Sequence, residues 1–288
     1  MKSFACQLHE RIKEKNTRLL VGLDPHPGKI PVSFASNYRE EDVENLLFDY
    51  FSNVVDKSRA FAAAFKPQIA FFEAYGMAGM RAFTRLLAYL RSKGEIIVVD
   101  GKRNDIGSTA AAYARAYFKA GSDFNCHALT VNAYLGSDGI EPFLSYPQKG
   151  IFALLKTSNP SSGQIQDLYL RSGDPLYHHM SKLFTKWNEP LLDEEGFGPV
   201  GAVIGATYPE HMQRLRKLMP HSLFLVPGYG AQGGSREAVR AAFMPGGKGA
   251  IINSSRMINF PAGFESKGFE AVAEAAEKAC KDINSLAL

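Results

Sequence analysis

Eight short apolar runs, separated by longer amphipathic stretches, set the strongest limit on what this chain can fold into. They are Arg18–Asp24, Ala62–Lys66, Glu95–Lys102, Ala128–Asn132, Ile151–Lys156, Val200–Ala206, Leu223–Pro227 and Ala250–Asn253. Most are apolar almost without a break, the pattern of strands buried on both faces of a parallel sheet. Helical periodicity fills the gaps at Met80–Ser92, Thr109–Ala120, His211–Leu218 and Arg236–Phe243, and residues 269–288 read as a closing helix. Alternation of this kind, with no Pro/Ser-rich linker, predicts a (β/α)8 TIM barrel occupying residues 1–288 as one domain. A doubly wound sheet with extra strands is the competing architecture. Pro25–Asp49 and Pro160–Pro199 read as additions to a minimal barrel.

The charge balance narrows the partners. Lys and Arg number 33 against 29 Asp and Glu, a net +4 over 288 residues. So small an excess argues against nucleic acid and suits an acidic small molecule. The cysteines, Cys6, Cys126 and Cys280, lack CxxC spacing, which argues against a zinc site and for a reducing compartment. The first residues turn polar too early for a signal peptide, and no apolar run reaches about 18 residues. A cytoplasmic protein without a membrane or nucleic-acid partner is the expectation. His178 and His179 would point about 100° apart on a helix. The remaining histidines lack ligand spacing, so neither a metal nor another cofactor is expected. The run Arg214, Arg216, Lys217 reads as a solvated helix face, and Cys126 as a core thiol.

Polar residues gather where the apolar runs end, and in a barrel those ends form the active site. The first run ends in Asp24, the second in Lys66, the third in Asp100 and Lys102. The fifth ends in Lys156, Thr157 and Ser158, and the eighth runs into Arg256. Charges closing apolar strands are costly unless they are paired or bind something. Asp100 and Lys102, two apart on a strand, are expected to share the lumen face, with Asp105 in the following turn. A lysine among carboxylates stays protonated and can stabilise, then protonate, a developing carbanion. A purely structural Asp–Lys pair would look the same, so this cluster alone leaves both readings open. Gly228–Gly234 contains GxGxxG, but it follows the seventh run instead of opening the first βα unit, which argues against a dinucleotide fold. Glycine amides, Gln232 and Arg256 instead suit a phosphomonoester.

Together these blocks resemble the orotidine 5'-phosphate decarboxylase family, in its longer, type 2 form. The resemblance runs from Gly22-Leu23-Asp24-Pro25 through Phe65–Glu73, Asp100–Thr109, Leu155–Pro160 and Pro227–Gly234 to Ser254-Ser255-Arg256. It implies loss of CO2 from orotidine 5'-phosphate to give uridine 5'-phosphate, the last step of UMP synthesis, without a cofactor. Carried over by motif, Asp24 and Lys66 would hold ribose hydroxyls, Asp100 would lie beside the substrate carboxylate, and Lys102 would protonate C6. Thr157 and Ser158 would meet the pyrimidine edge, while Gln232, Gly233 and Arg256 would take the 5'-phosphate. Gln68 and Asn132 would line the site. Asp105 and Thr109 would cross a homodimer interface into the partner's site. Ala133 departs from the proline that relatives carry after Asn132. The rival enzyme is a magnesium-dependent keto-sugar-phosphate decarboxylase or aldolase, which shares Asp-x-Lys-x-x-Asp but lacks the Lys-Thr-Ser-Asn-Pro block. A non-catalytic nucleotide binder is disfavoured because Asp100, Lys102 and Asp105 are all present.

Overall fold

Alternate residues of the strands fall into two separate cores, and this division explains where the site lies. The computed structural model describes residues 2–26, 28–228 and 234–287. Among them are eight parallel strands: β1 (Leu19–Leu23), β2 (Ala64–Pro67), β3 (Val98–Arg103), β4 (Ala128–Val131), β5 (Gly150–Lys156), β6 (Val200–Ile204), β7 (Phe224–Val226) and β8 (Ala250–Ser254). They run in the order β2-β1-β8-β7-β6-β5-β4-β3. Parallel bridges from Phe65 to Ile97 and from Gln68 to Asp100 bring the two end strands together. The (β/α)8 barrel expected from the eight runs is the fold observed.

Leu19, Val21 and Leu23, with Phe65, Val99, Leu129, Val131, Ile151, Ala153 and their equivalents, pack outward against the surrounding helices. The opposite parity contributes Leu20, Ala64, Val98, Ala128, Phe152, Leu225 and Ile251 to a second cluster inside the barrel. The helix Phe4–Lys15 joins that inner cluster through Phe4, Ala5, Leu8 and Ile12. Ser3 caps it by accepting the Cys6 N–H at 3.0 Å, and Asn16 ends it in a left-handed turn. Phe4 meets Phe152 edge-on at 5.9 Å between centroids. The helix therefore plugs the N-terminal end of the lumen, and each large apolar side chain buried there contributes about 2 kcal/mol.

Two expectations need adjusting. Pro25–Asp49 and Pro160–Pro199 are only partly additions, because the helices Val43–Ser58 and Leu176–Asn188 begin within them and pack on the barrel as its own helices. Arg216 is buried, not solvated. Its guanidinium lies 3.7 Å from the Phe224 ring centroid and donates to the carbonyls of Gly249, Met219 and Ser222. Burial lowers its pKa to about 9. Cys126 is the buried core thiol expected, with burial pushing its pKa up to about 12. No helix among the described residues is long and apolar enough to cross a membrane.

Candidate active site

Two residues further along four of the strands, the apolar inner layer gives way to a polar one. Above Ala64 stands Lys66, above Val98 Asp100, above Ala128 Thr130, and above Ile251 Asn253. The first three of these open into a cavity of about 860 Å³ at the C-terminal ends of the strands. It is lined by Lys66, Asp100, Lys102, Thr130, Thr157 and Ser158, with Asn159, Gln166 and Thr207 around the rim and Leu154, Val203 and Leu225 below.

Asp100 is the centre of this layer. Lys66 Nζ donates to its Oδ2 at 3.0 Å, Lys102 Nζ to its Oδ1 at 2.7 Å, and the Thr130 hydroxyl to Oδ1 at 2.8 Å. Burial opposes the charge on Asp100, but the two ammonium groups and these hydrogen bonds outweigh it and hold the carboxyl well below the usual carboxylate range. Burial likewise works against the Lys66 charge, yet Asp100 and Asp24 raise its pKa overall. Lys66 is enclosed, whereas the Lys102 side chain is 46% exposed towards the cavity.

Asp100 and Lys102 do meet, though not through regular strand parity. The β3–β4 register shifts between Val99 and Arg103, while β4 advances only from Leu129 to Val131. Lys102 adopts φ +45°, a conformation costly for a residue with a Cβ. A bulge therefore delivers Lys102 to Asp100. A second register shift, between Leu154 and Lys156, has the opposite consequence. It takes Lys156 out of the lumen to Asp167, at 2.7 and 2.8 Å, beside the Tyr177 ring. Gln166 secures the next residue, accepting the Thr157 N–H at 2.9 Å and donating to its hydroxyl at 2.8 Å. Gly205 has no Cβ because Ser158 lies against it, within 2.8 Å of where that atom would be.

Of the other expected residues, Asp24 has a buried Oδ1 with no hydrogen-bond partner among the described residues, and its N–H donates to Asn259 Oδ1 at 3.0 Å. Gln68 caps the short helix Ile69–Glu73. Asn132 accepts the Tyr134 N–H at 3.0 Å and faces an adjoining apolar hollow of about 420 Å³. Asp105 accepts its neighbour's N–H from Ile106 at 2.8 Å, and Thr109 is exposed; neither lines the cavity. Arg256 is exposed at the start of the short helix Arg256–Asn259. Gln232 and Gly233 lie outside the described residues. Thr130, Gln166, Thr207 and Asn259 were not singled out from sequence. Thr130 was within reach, since it shares the parity of Ala128 and, by the β3–β4 register, the height of Asp100. Gln166 and Asn259 act through tertiary contacts that carry no local signal.

The chain matches the "Orotidine 5'-phosphate decarboxylase / HUMPS family" over residues 17–260. It is 44% identical over 270 residues to the orotidine 5'-phosphate decarboxylase of Rhodopirellula baltica, covering 90% of this chain and 89% of that one. A crystal structure from Toxoplasma gondii, provisionally assigned as an orotidine-monophosphate decarboxylase, superposes with a TM-score of 0.86. It has 35% identity and covers 99% of this chain and 96% of its own. The OMP decarboxylase of Leishmania donovani superposes with a TM-score of 0.79 at 32% identity, over 99% of both chains. The barrel, the polar layer above its plug and these similarities agree, and the chain belongs to the orotidine 5'-phosphate decarboxylase / HUMPS family.

Proposed function

We propose that this protein is a carboxy-lyase that converts orotidine 5'-phosphate to uridine 5'-phosphate and CO2, without a metal or other cofactor. One observation carries the proposal: the row Lys66–Asp100–Lys102 on the cavity floor, with the Lys102 ammonium turned towards open space. The C6–carboxylate bond breaks with its electron pair left on C6. Lys102 stabilises that pair electrostatically and then gives a proton to C6, and the resulting amine is reprotonated from solvent. Asp100 holds the Lys102 ammonium in place beforehand and stands beside the departing carboxylate. Lys66 and Asp24 hold the ribose, with Gln68 and Asn132 around it. Thr157 and Ser158 meet the ring edge. Gln232, Gly233 and Arg256 take the phosphate, whose binding energy helps organise the site.

The whole chain forms one barrel domain and works as a homodimer in which Asp105 and Thr109 reach the partner's site. Both residues stand clear of the cavity of their own chain. Exposed Ile106, Tyr134, Leu135, Ile165, Leu168 and Tyr169 lie on the loops after β3, β4 and β5, where such a partner would dock. Mixed dimers of Asp105→Ala and Lys102→Ala chains should regain part of the wild-type rate, and their failure to do so would remove the shared site. Free Cys6, Cys126 and Cys280 suit the reducing cytoplasm.

An ultraviolet assay with orotidine 5'-phosphate in EDTA tests the reaction. Loss of orotate absorbance with appearance of uridine 5'-phosphate is expected. Turnover only of a keto-sugar phosphate, and only after Mg²⁺ is restored, would favour the rival instead.

A further inference from the structure

We infer that Thr130 is a positioning residue for the reaction proposed above, because its hydroxyl holds the bulge that presents Lys102 and aims Asp100. Where β3 bulges against β4, two consecutive N–H groups, those of Gly101 and Lys102, turn to a single side chain of β4. Thr130 Oγ1 accepts both, each at 3.0 Å, and donates its own proton to Asp100 Oδ1 at 2.8 Å. One hydroxyl has one proton and two lone pairs, so its capacity is filled. Thr130 is buried at the cavity wall, and its hydroxyl satisfies these groups from within the chain.

The backbone it supports is strained. Among the described residues only Asn16 and Lys102 combine a Cβ with positive φ. Asn16 terminates a helix, where asparagine in this conformation is common. Lys102 has no such local reason, and a lysine returned to extended φ would leave the geometry that places Nζ 2.7 Å from Asp100. Strain of this kind persists only where its surroundings hold it. With its proton and both lone pairs engaged within the chain, the Thr130 hydroxyl has none left for a substrate. It acts through the placement of Asp100 and Lys102, and displacements of about 1 Å at such positions cost up to roughly 100-fold in rate.

Thr130→Val keeps the shape and removes the hydroxyl, whereas Thr130→Ser keeps the hydroxyl and removes the methyl. The valine variant should lose roughly 10- to 100-fold in kcat with KM little changed, and the serine variant should stay near wild type. Amide hydrogen exchange at residues 101 and 102 should accelerate in the valine variant and not in the serine variant. Val131→Ala, on the outer face of the same strand, serves as a stability control that lowers Tm and leaves kcat alone. If the valine variant does not fold, Thr130→Cys, with similar volume and a poor acceptor, takes its place.

A wild-type kcat in the valine or cysteine variant, or an equal loss of kcat in Val131→Ala at matched Tm, overturns the inference. Exchange at 101 and 102 reports on the bulge even if wild-type protein does not turn over orotidine 5'-phosphate. Failure of the functional reading is then distinguishable from failure of this one.

Discussion

Two buried carboxylates flank the same strand, and they do different work. Glu95 precedes β3 at the plugged end of the barrel. Its Oε2 accepts from Arg11 at 3.1 Å and Lys15 at 2.9 Å, and its Oε1 accepts from Arg59 at 3.0 Å. Each of those cations is also tied to backbone carbonyls, and Lys15 thereby fills all three of its N–H donors. Arg11 also reaches the Gly94 carbonyl, Lys15 those of Arg59 and Ala62, and Arg59 that of Lys93. Asp100, within β3 at the open end, has a comparable set of partners in Lys66, Lys102 and Thr130. What separates them is the cavity, which is lined by Asp100 and both of its lysines and by no member of the Glu95 cluster. Among the described residues Lys102 makes one ion pair, and it faces a cavity of about 860 Å³ where its other protons can meet a ligand. A buried ion pair is therefore not in itself a sign of a site. A cation held in place by one carboxylate and left half open to a cavity is.

Exchanging the two losses should break or confirm this contrast. Lys102→Ala removes the stabilising ammonium and the proton donor together, and kcat should fall by roughly 10⁴. Asp100 keeps Lys66 and Thr130, so Tm should move little. Near-normal turnover in a folded Lys102→Ala protein would end the assignment. Glu95→Gln should do the reverse. Three cations would then face a neutral amide, at a cost of about 3 kcal/mol, roughly 5 °C in Tm for a chain of this size. Its kcat below the new Tm should be unchanged. A Glu95→Gln protein that keeps its Tm but loses activity would show that the plugged end communicates with the chemistry.

The same contrast explains what could be read from the sequence. Apolar runs located all eight strands, because strands buried on both faces are apolar at nearly every position, and at the plugged end their backbone keeps the regular period of two. At the open end that period fails twice. The bulge at Val99–Arg103 brings Lys102 to Asp100 despite its backbone, and the one at Leu154–Lys156 removes Lys156 from the lumen. Lys66, Asp100, Ser158 and Thr157 were legible as polar ends of apolar strands. Gln166 and Asn259 were not, since each bonds to a residue far away in sequence or across a loop. The charge of Arg216 suggested solvent, while an aromatic ring and three carbonyls bury it.

Titration should also distinguish the two ends. His127 lies just before β4 at the plugged end, where its Nδ1 accepts the Ile97 N–H at 3.1 Å. Burial, helped by Lys149, Arg11 and Arg91, lowers its pKa from 6.5 to about 4. Because the folded value is depressed, the unfolded chain takes up the proton first. Stability is then intact above about pH 6.5 and is lost as the pH falls towards 4, by roughly 3 kcal/mol for the complete transition. His9, on the plug helix, is also shifted downwards by burial and adds to the slope. His127→Asn offers an amide oxygen in place of Nδ1 and has no proton to take up. Urea unfolding at pH values between 7 and 4.5 should therefore give a shallower loss of stability for the variant, by up to about 1.4 kcal/mol per pH unit. Parallel profiles would show that His127 is as easily protonated in the fold as out of it. Asp100, held well below the usual carboxylate range, stays ionised across this window. The open end should thus keep its charge pattern while the plugged end weakens, and activity in acid should be lost with the fold.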